Sequence, residues 1–315
     1  MPLDPQAQAF LEQLAASGAP PLHELSVAEA RQVIVALFGV QGDSEPVGAV
    51  ANRMIPGAAG EIPARIYTPR GTDPFPILVY FHGGGWVIGN LEAYDATCRA
   101  LTNAARCIVV AMEYRLAPEH QFPAAPEDCY AATQWVAAQA TAIGGDPTRL
   151  ALGGDSAGGN LTAVVAQMVR DRGGPALCYQ LLIYPATDLS YDRAPYQSQR
   201  ENAEEYLLTL DAMVWFQNHY LRSPADGSNP MASPLRADNL RGLPPAMVIT
   251  AEFDPLRDEG EAYAVRLQEA GVPITLKRYD GMIHGFLSLG TVLEQGKRAI
   301  EDAAAALRTA CAREK

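Results

Sequence analysis

The chain has 315 residues, 48 % of them hydrophobic and 19 % charged, with a formal net charge of −12. That balance suits a globular chain with a sizeable core, and its acidity argues against nucleic acid as a partner, since phosphate binding needs a basic surface. No run of about 18 uninterrupted apolar residues occurs, so no membrane span is expected.

Residues 1–45 read as helix, turn, helix. In the first helix Ala7, Phe10, Leu11 and Leu14 share one face at helical spacing. No basic stretch leads into an apolar run there, so no secretory signal is expected. The second helix opens on "SVAE", where Ser26 can cap and Glu29 can reach back.

From residue 46 the texture changes to short β-rich runs alternating with helical stretches. The runs are 77–81, 107–114, 149–154, 179–185, 246–251 and 274–279, and helix-length segments include 125–143, 160–172 and 258–270. Several runs are continuously apolar, as strands buried on both faces of a mostly parallel sheet are. The alternation predicts a doubly wound α/β fold. Between about 188 and 225 it is interrupted by a polar stretch and then a helix with Met213, Phe216 and Tyr220 on one face. That insertion fits a cap over a pocket or an ordinary crossover helix equally well.

Five cysteines (Cys98, Cys107, Cys129, Cys178 and Cys311) are scattered, with no C-x-x-C pair. They read as reduced, mostly buried thiols of a cytoplasmic protein, neither a disulfide framework nor a zinc site. No metal and no cofactor is expected: H-E-x-x-H, the P-loop pattern and G-x-G-x-x-G are all absent.

Gly154-Asp155-Ser156-Ala157-Gly158 fits G-x-S-x-G between a strand and a helix. In such an elbow the serine backbone is strained, and the residues two before and two after must be small. Ser156 is therefore the candidate nucleophile, and the Ala157 N–H a candidate oxyanion donor. A serine hydroxyl needs an imidazole to attack an ester at neutral pH. Of five histidines, His284 lies just past a late strand, where this architecture presents its base, whereas His23 and His219 read as surface or packing residues and His120, in a Pro-bounded loop, as a local structural residue. Asp254 follows the strand 246–251 and is the candidate orienting acid, and Asp258 reads as a first-turn helix charge. The order Ser156, Asp254, His284 is that of an α/β-hydrolase arrangement. "HGGGW" (82–86) follows another strand and offers Gly83, Gly84 and Gly85 as further oxyanion donors, each such donor being worth roughly 2.7–4 kcal/mol.

Together "HGGGWVIG" (82–89), "YRLAPEHQFPAAPED" (114–128), "GDSAGG" (154–159), "ENAEEYLLT" (201–209), "DPLRDEG" (254–260) and "HGF" (284–286) resemble the bacterial hormone-sensitive-lipase-like carboxylesterases of the α/β-hydrolase superfamily. The resemblance implies a mostly parallel eight-stranded central sheet flanked by helices, with a helical cap made from residues 1–45 and the insertion at about 188–225, on a catalytic domain spanning 46–315. It assigns Ser156, Asp254 and His284 to the triad, favours Gly84 and Gly85 over Gly83 beside Ala157 in the oxyanion hole, and gives His82 a tethering role. Relatives with this fold that act as plant hormone receptors lack the histidine, and some dehydratase-like ones carry threonine for the serine. Here both residues are present.

The expected activity is hydrolysis of short- to medium-chain acyl esters through an acyl-enzyme. Trp86, Tyr206, Leu207, Met213, Phe216 and Phe286 are candidate pocket residues. A non-catalytic small-molecule receptor, a lactonase or an amidase would be the alternatives on this fold. Many relatives dimerise through an edge strand, so the resemblance also implies a homodimer.

Overall fold

The computed structural model describes residues 2–39, 45–72, 74–190 and 195–312. Two helices come first, α1 (Pro5–Ala16) and α2 (Val27–Gly39). Both are capped as their sequences require. Asp4 accepts the Gln6 N–H at the head of α1. At α2, Ser26 Oγ accepts from Glu29 N (3.3 Å) while Glu29 Oε2 accepts from Ser26 N (2.9 Å), closing a capping box.

Eight strands follow: β1 (Ala49–Gly57), β2 (Gly60–Thr68), β3 (Phe75–Phe81), β4 (Ile108–Met112), β5 (Gly145–Asp155), β6 (Tyr179–Ile183), β7 (Ala246–Phe253) and β8 (Ile274–Ile283). They form one sheet in the order β1-β2-β4-β3-β5-β6-β7-β8. The β1/β2 and β2/β4 pairs are antiparallel and the rest parallel. The order matters for function: β3 and β5 are far apart in sequence yet lie side by side, with Phe81 opposite Gly154. The glycine run after β3 and the serine after β5 are thereby brought to the same end of the sheet.

Among the described residues seven more α-helices, with five short 3-10 turns, complete the fold: α3 (Asp95–Ala105), α4 (Ala124–Gln139), α5 (Ala157–Arg172), α6 (Gln197–Glu201), α7 (Leu210–Tyr220), α8 (Arg257–Glu269) and α9 (Glu294–Ala310). Helix α3 packs on α9, α4 packs on α5, and α8 covers β7 and β8. Cover on both faces explains why β4 and β6 are buried along their whole length. All six strand runs read from the sequence are strands. The β1/β2 hairpin, α3, α6 and α9 are additions. Within the insertion, residues 191–194 lie outside the described residues, as do 40–44 at the end of the N-terminal segment. Among the described residues, no helix is long and apolar enough to cross a membrane.

Candidate active site

Ser156 stands between β5 and α5 with φ 55° and ψ −117°, a conformation that side-chain-bearing residues rarely adopt. Its N–H is fixed by the Ile183 carbonyl (2.8 Å). The flanking glycines have a steric reason: a Cβ on Gly158 would stand 1.9 Å from the Phe81 carbonyl oxygen, and one on Gly154 2.4 Å from the Gly158 oxygen. Any side chain at either position would push α5 off the sheet.

His284 follows β8, and Asp254 follows β7. The His284 Nε2 lies 3.0 Å from Ser156 Oγ, and its Nδ1 lies 2.7 Å from Asp254 Oδ2. A carboxylate oxygen accepts, so Nδ1 carries the proton and Nε2 presents its lone pair to the serine when the ring is neutral. Asp254 is fully buried, and its other oxygen accepts from Leu256 N (2.8 Å). Tyr184 packs against the imidazole, ring centroids 4.8 Å apart. The remaining acid and histidines lie elsewhere: Asp258 pairs with Arg257 and accepts from Ser198 N, His219 contacts the Trp215 carbonyl, and His120 is exposed.

The glycine run after β3 is held from below by Asp155. Its Oδ1 accepts from Gly83 N (3.0 Å) and Tyr80 Oη (2.8 Å), and its Oδ2 accepts from Tyr94 Oη (3.2 Å). Burial pushes this carboxyl up to about 6, and the tyrosine and Gly83 hydrogen bonds and the nearby His284 oppose a larger rise. Gly83, expected among the oxyanion donors, is therefore corrected: its N–H is already donated to Asp155, away from the serine. Gly84 and Gly85, at φ 108° and 56°, border the cavity in front of Ser156. Among the described residues their N–H groups meet no backbone acceptor. Ala157 N opens α5, where no intrahelical acceptor exists. His82 is buried, stacks on Tyr114 (4.4 Å) and contacts the Gly83 carbonyl (2.7 Å). Burial pushes it down to about 4, so it tethers the loop as a neutral ring.

Above these groups lies a cavity of about 410 Å³ with mostly apolar walls, bordered by Ser156 and His284. Trp86, Tyr206, Leu207, Met213 and Phe216 all line it. Trp86 is stacked on Tyr220 at 4.4 Å, and the Phe216 ring lies so close over Gly85 that a Cβ there would be 2.2 Å from it. Phe286 is corrected. It is fully buried, its ring packed against Tyr279 and Tyr184, and it does not line the cavity.

Sequence reasoning missed the far wall, made by Leu11 and Leu14 of α1, Leu22 and Leu25 of the connecting turn, and Ile34 and Phe38 of α2. The apolar face of α1 was the available signal. It also missed Glu259, a buried carboxyl at the cavity's edge that accepts from Thr187 N and Asp188 N and so fixes the chain leaving β6.

Residues 78–288 match the family described as alpha/beta hydrolase fold. The carboxylic ester hydrolase LipN of Mycobacterium tuberculosis is 48 % identical over 246 residues, 76 % of this chain but only 65 % of LipN's length. Carboxylesterase NlhH of the same species is 44 % identical over 257 residues, 79 % of each chain. The solved structure of a hyperthermophilic esterase from Pyrobaculum calidifontis superposes with a TM-score of 0.92 at 45 % identity, covering 98 % of this chain and 99 % of that one. The chain thus belongs to the α/β-hydrolase family, in its hormone-sensitive-lipase-like class.

Proposed function

We propose that the protein is a serine carboxylesterase acting on short- to medium-chain acyl esters, with Ser156, His284 and Asp254 as its triad. One observation carries the assignment: the continuous chain from Ser156 Oγ through both ring nitrogens of His284 to Asp254, with contacts of 3.0 and 2.7 Å. Ser156 Oγ attacks the ester carbonyl carbon as its proton passes to His284 Nε2. Asp254 stabilises the resulting imidazolium through Nδ1–H. The carbonyl oxygen becomes an oxyanion held by the N–H groups of Gly84, Gly85 and Ala157, the last at the positive end of α5. The tetrahedral adduct collapses, His284 returns the proton to the departing alcohol, and an acyl-serine remains. Water, deprotonated by His284, attacks the acyl carbon, and the acid leaves as Ser156 recovers its proton.

The cavity supports the substrate class. Its volume of about 410 Å³ lies within the roughly 300–1,000 Å³ usual for small-molecule sites, and its apolar wall suits an acyl chain. The α1–α2 segment and the α6–α7 insertion form the cap, and both contribute to that wall. The free thiols fit a cytoplasmic setting. The open outer edge of β8, with Leu276 exposed, supports pairing of two copies there, and light scattering that finds only monomer removes that pairing.

Hydrolysis of p-nitrophenyl esters from C2 to C16 tests the reading. The expected profile peaks at short or middle chains, and Ser156→Ala lowers kcat by at least about 10⁴-fold. Wild-type turnover no faster than the variant's at every length would overturn it.

A further inference from the structure

Two cysteines far apart in sequence meet at the opposite end of the sheet from Ser156. Cys178 directly precedes β6, with its N–H donated to the Leu150 carbonyl of β5 (2.8 Å). Cys311 directly follows α9, its N–H donated to Leu307 (2.9 Å). Their Sγ atoms are 2.7 Å apart, in direct contact across 133 residues of chain. Cys178 is half-buried and Cys311 is buried.

The other three cysteines, Cys98, Cys107 and Cys129, are buried, and burial pushes their thiols up, which makes them inert. The contacting pair behaves differently. The Cys178 thiol hydrogen bond, helped by the charge of Arg149, holds Cys311 below the ordinary thiol range, and the same contact pushes Cys178 up. Two thiols in contact, one of them stabilised as a thiolate by the other's S–H, are the arrangement of an attacking and a resolving thiol.

We propose that Cys178 and Cys311 are a reversible redox pair that a hydroperoxide closes into a disulfide, fastening the end of α9 to the head of β6. The pair's thiolate attacks the peroxide oxygen. The O–O bond breaks, water leaves when the oxidant is hydrogen peroxide, and the attacking cysteine becomes a sulfenic acid. The other cysteine's sulfur then attacks the sulfenic sulfur, the S–S bond forms, and a second water leaves with that cysteine's proton. Two thiols are oxidised by two electrons and one peroxide is reduced to two waters. A dithiol reductant reverses the closure. The bond would enclose β6, β7 and β8 and with them Asp254 and His284, so it stabilises the segment carrying two members of the site without touching the cavity. Loop closure of this length predicts a higher melting temperature for the oxidised form.

The test uses the full chain, reduced and then exposed to hydrogen peroxide, alkylated after denaturation, digested without reductant and analysed by mass spectrometry. The expected result is a peptide joining Cys178 to Cys311, loss of two of the five alkylatable thiols and their return with dithiothreitol. Oxidation should raise Tm by about 4 °C or more. Cys178→Ser and Cys311→Ser should show no such rise while hydrolysing p-nitrophenyl butyrate at the wild-type rate. Five thiols still open to alkylation after peroxide, a bond closing on Cys107, or over-oxidation of Cys178 or Cys311 with no bond would each overturn the pair. A linked peptide without a Tm rise would overturn the fastening role.

Discussion

Asp155 occupies the variable position of G-x-S-x-G, yet three donors converge on it: the Gly83 amide and the hydroxyls of Tyr80 and Tyr94. It fixes the glycine loop relative to the serine one residue away. Its folded-state pKa of about 6 lies above the ordinary 3.8, so the native state binds more protons than the unfolded chain between those values. Wild-type stability from this group is therefore present below about pH 4 and lost as pH rises through about 6. Asp155→Asn keeps an acceptor oxygen for Gly83 and Tyr80 but cannot ionise. Its Tm relative to wild type should climb between pH 4 and 6 and level off above, as measured by calorimetry across that range. Asp155→Ala removes the anchor and should lower kcat by on the order of 10²-fold, the usual effect of misplacing one oxyanion donor. Sequence reading singled out Ser156, Asp254 and His284, which the structure brings within hydrogen-bond reach, because each follows its own strand, a local signal. It did not find Asp155's task, because Tyr80 and Tyr94 reach it only through the sheet's cross-strand order. Phe286 misled for a related reason: its partners Tyr279 and Tyr184 come from β8 and the end of β6, and adjacency to His284 carries no such information.

At the scale of elements, the elbow works because β5, β3 and α5 approach more closely than side chains allow. Gly158→Ala places a methyl 1.9 Å from a carbonyl oxygen of β3, where backbone rather than a flexible side chain must move. A loss of about 3 kcal/mol or more is expected, at the upper end of overpacking costs. Denaturant unfolding measures it, and a loss below about 1 kcal/mol would mean that α5 can slide. The central strands were legible because helices cover both faces and leave continuous apolar runs. β1 was not, since six of its first residues are exposed at the sheet's edge and carry no alternation. β2 does alternate, with Ile62, Ala64 and Ile66 buried, but Pro63 in its middle disguises it.

Across the whole molecule, the N-terminal helices are attached by few polar contacts, and Arg31 of α2 makes the most concentrated of them. It donates to the Val87 and Ala117 carbonyls (both 3.0 Å) and grips Glu119 with two nitrogens (2.8 and 2.7 Å). Val87 follows the glycine loop, so the clamp ties the cavity's outer wall to its oxyanion side. Arg31→Ala should expose α1 and α2 to protease and raise KM several-fold with a smaller change in kcat, read by limited proteolysis and steady-state kinetics. An unchanged cleavage pattern would show that apolar packing alone holds the segment. The resemblance places residues 1–45 in the cap and the apolar face of α1 hints at this wall, but which side chains meet the cavity is fixed only when the chain folds back over a site more than 100 residues away.

The central claim is that Ser156 is the nucleophile, and covalent labelling tests it most directly. A p-nitrophenyl alkylphosphonate, which traps an activated serine, should add once per chain, and peptide mapping should find the adduct on Ser156. Esterase activity should fall in proportion to labelling, and Ser156→Ala and His284→Ala should remain unlabelled. A stoichiometric adduct on any other residue, or full esterase activity in a chain labelled at Ser156, would contradict the account.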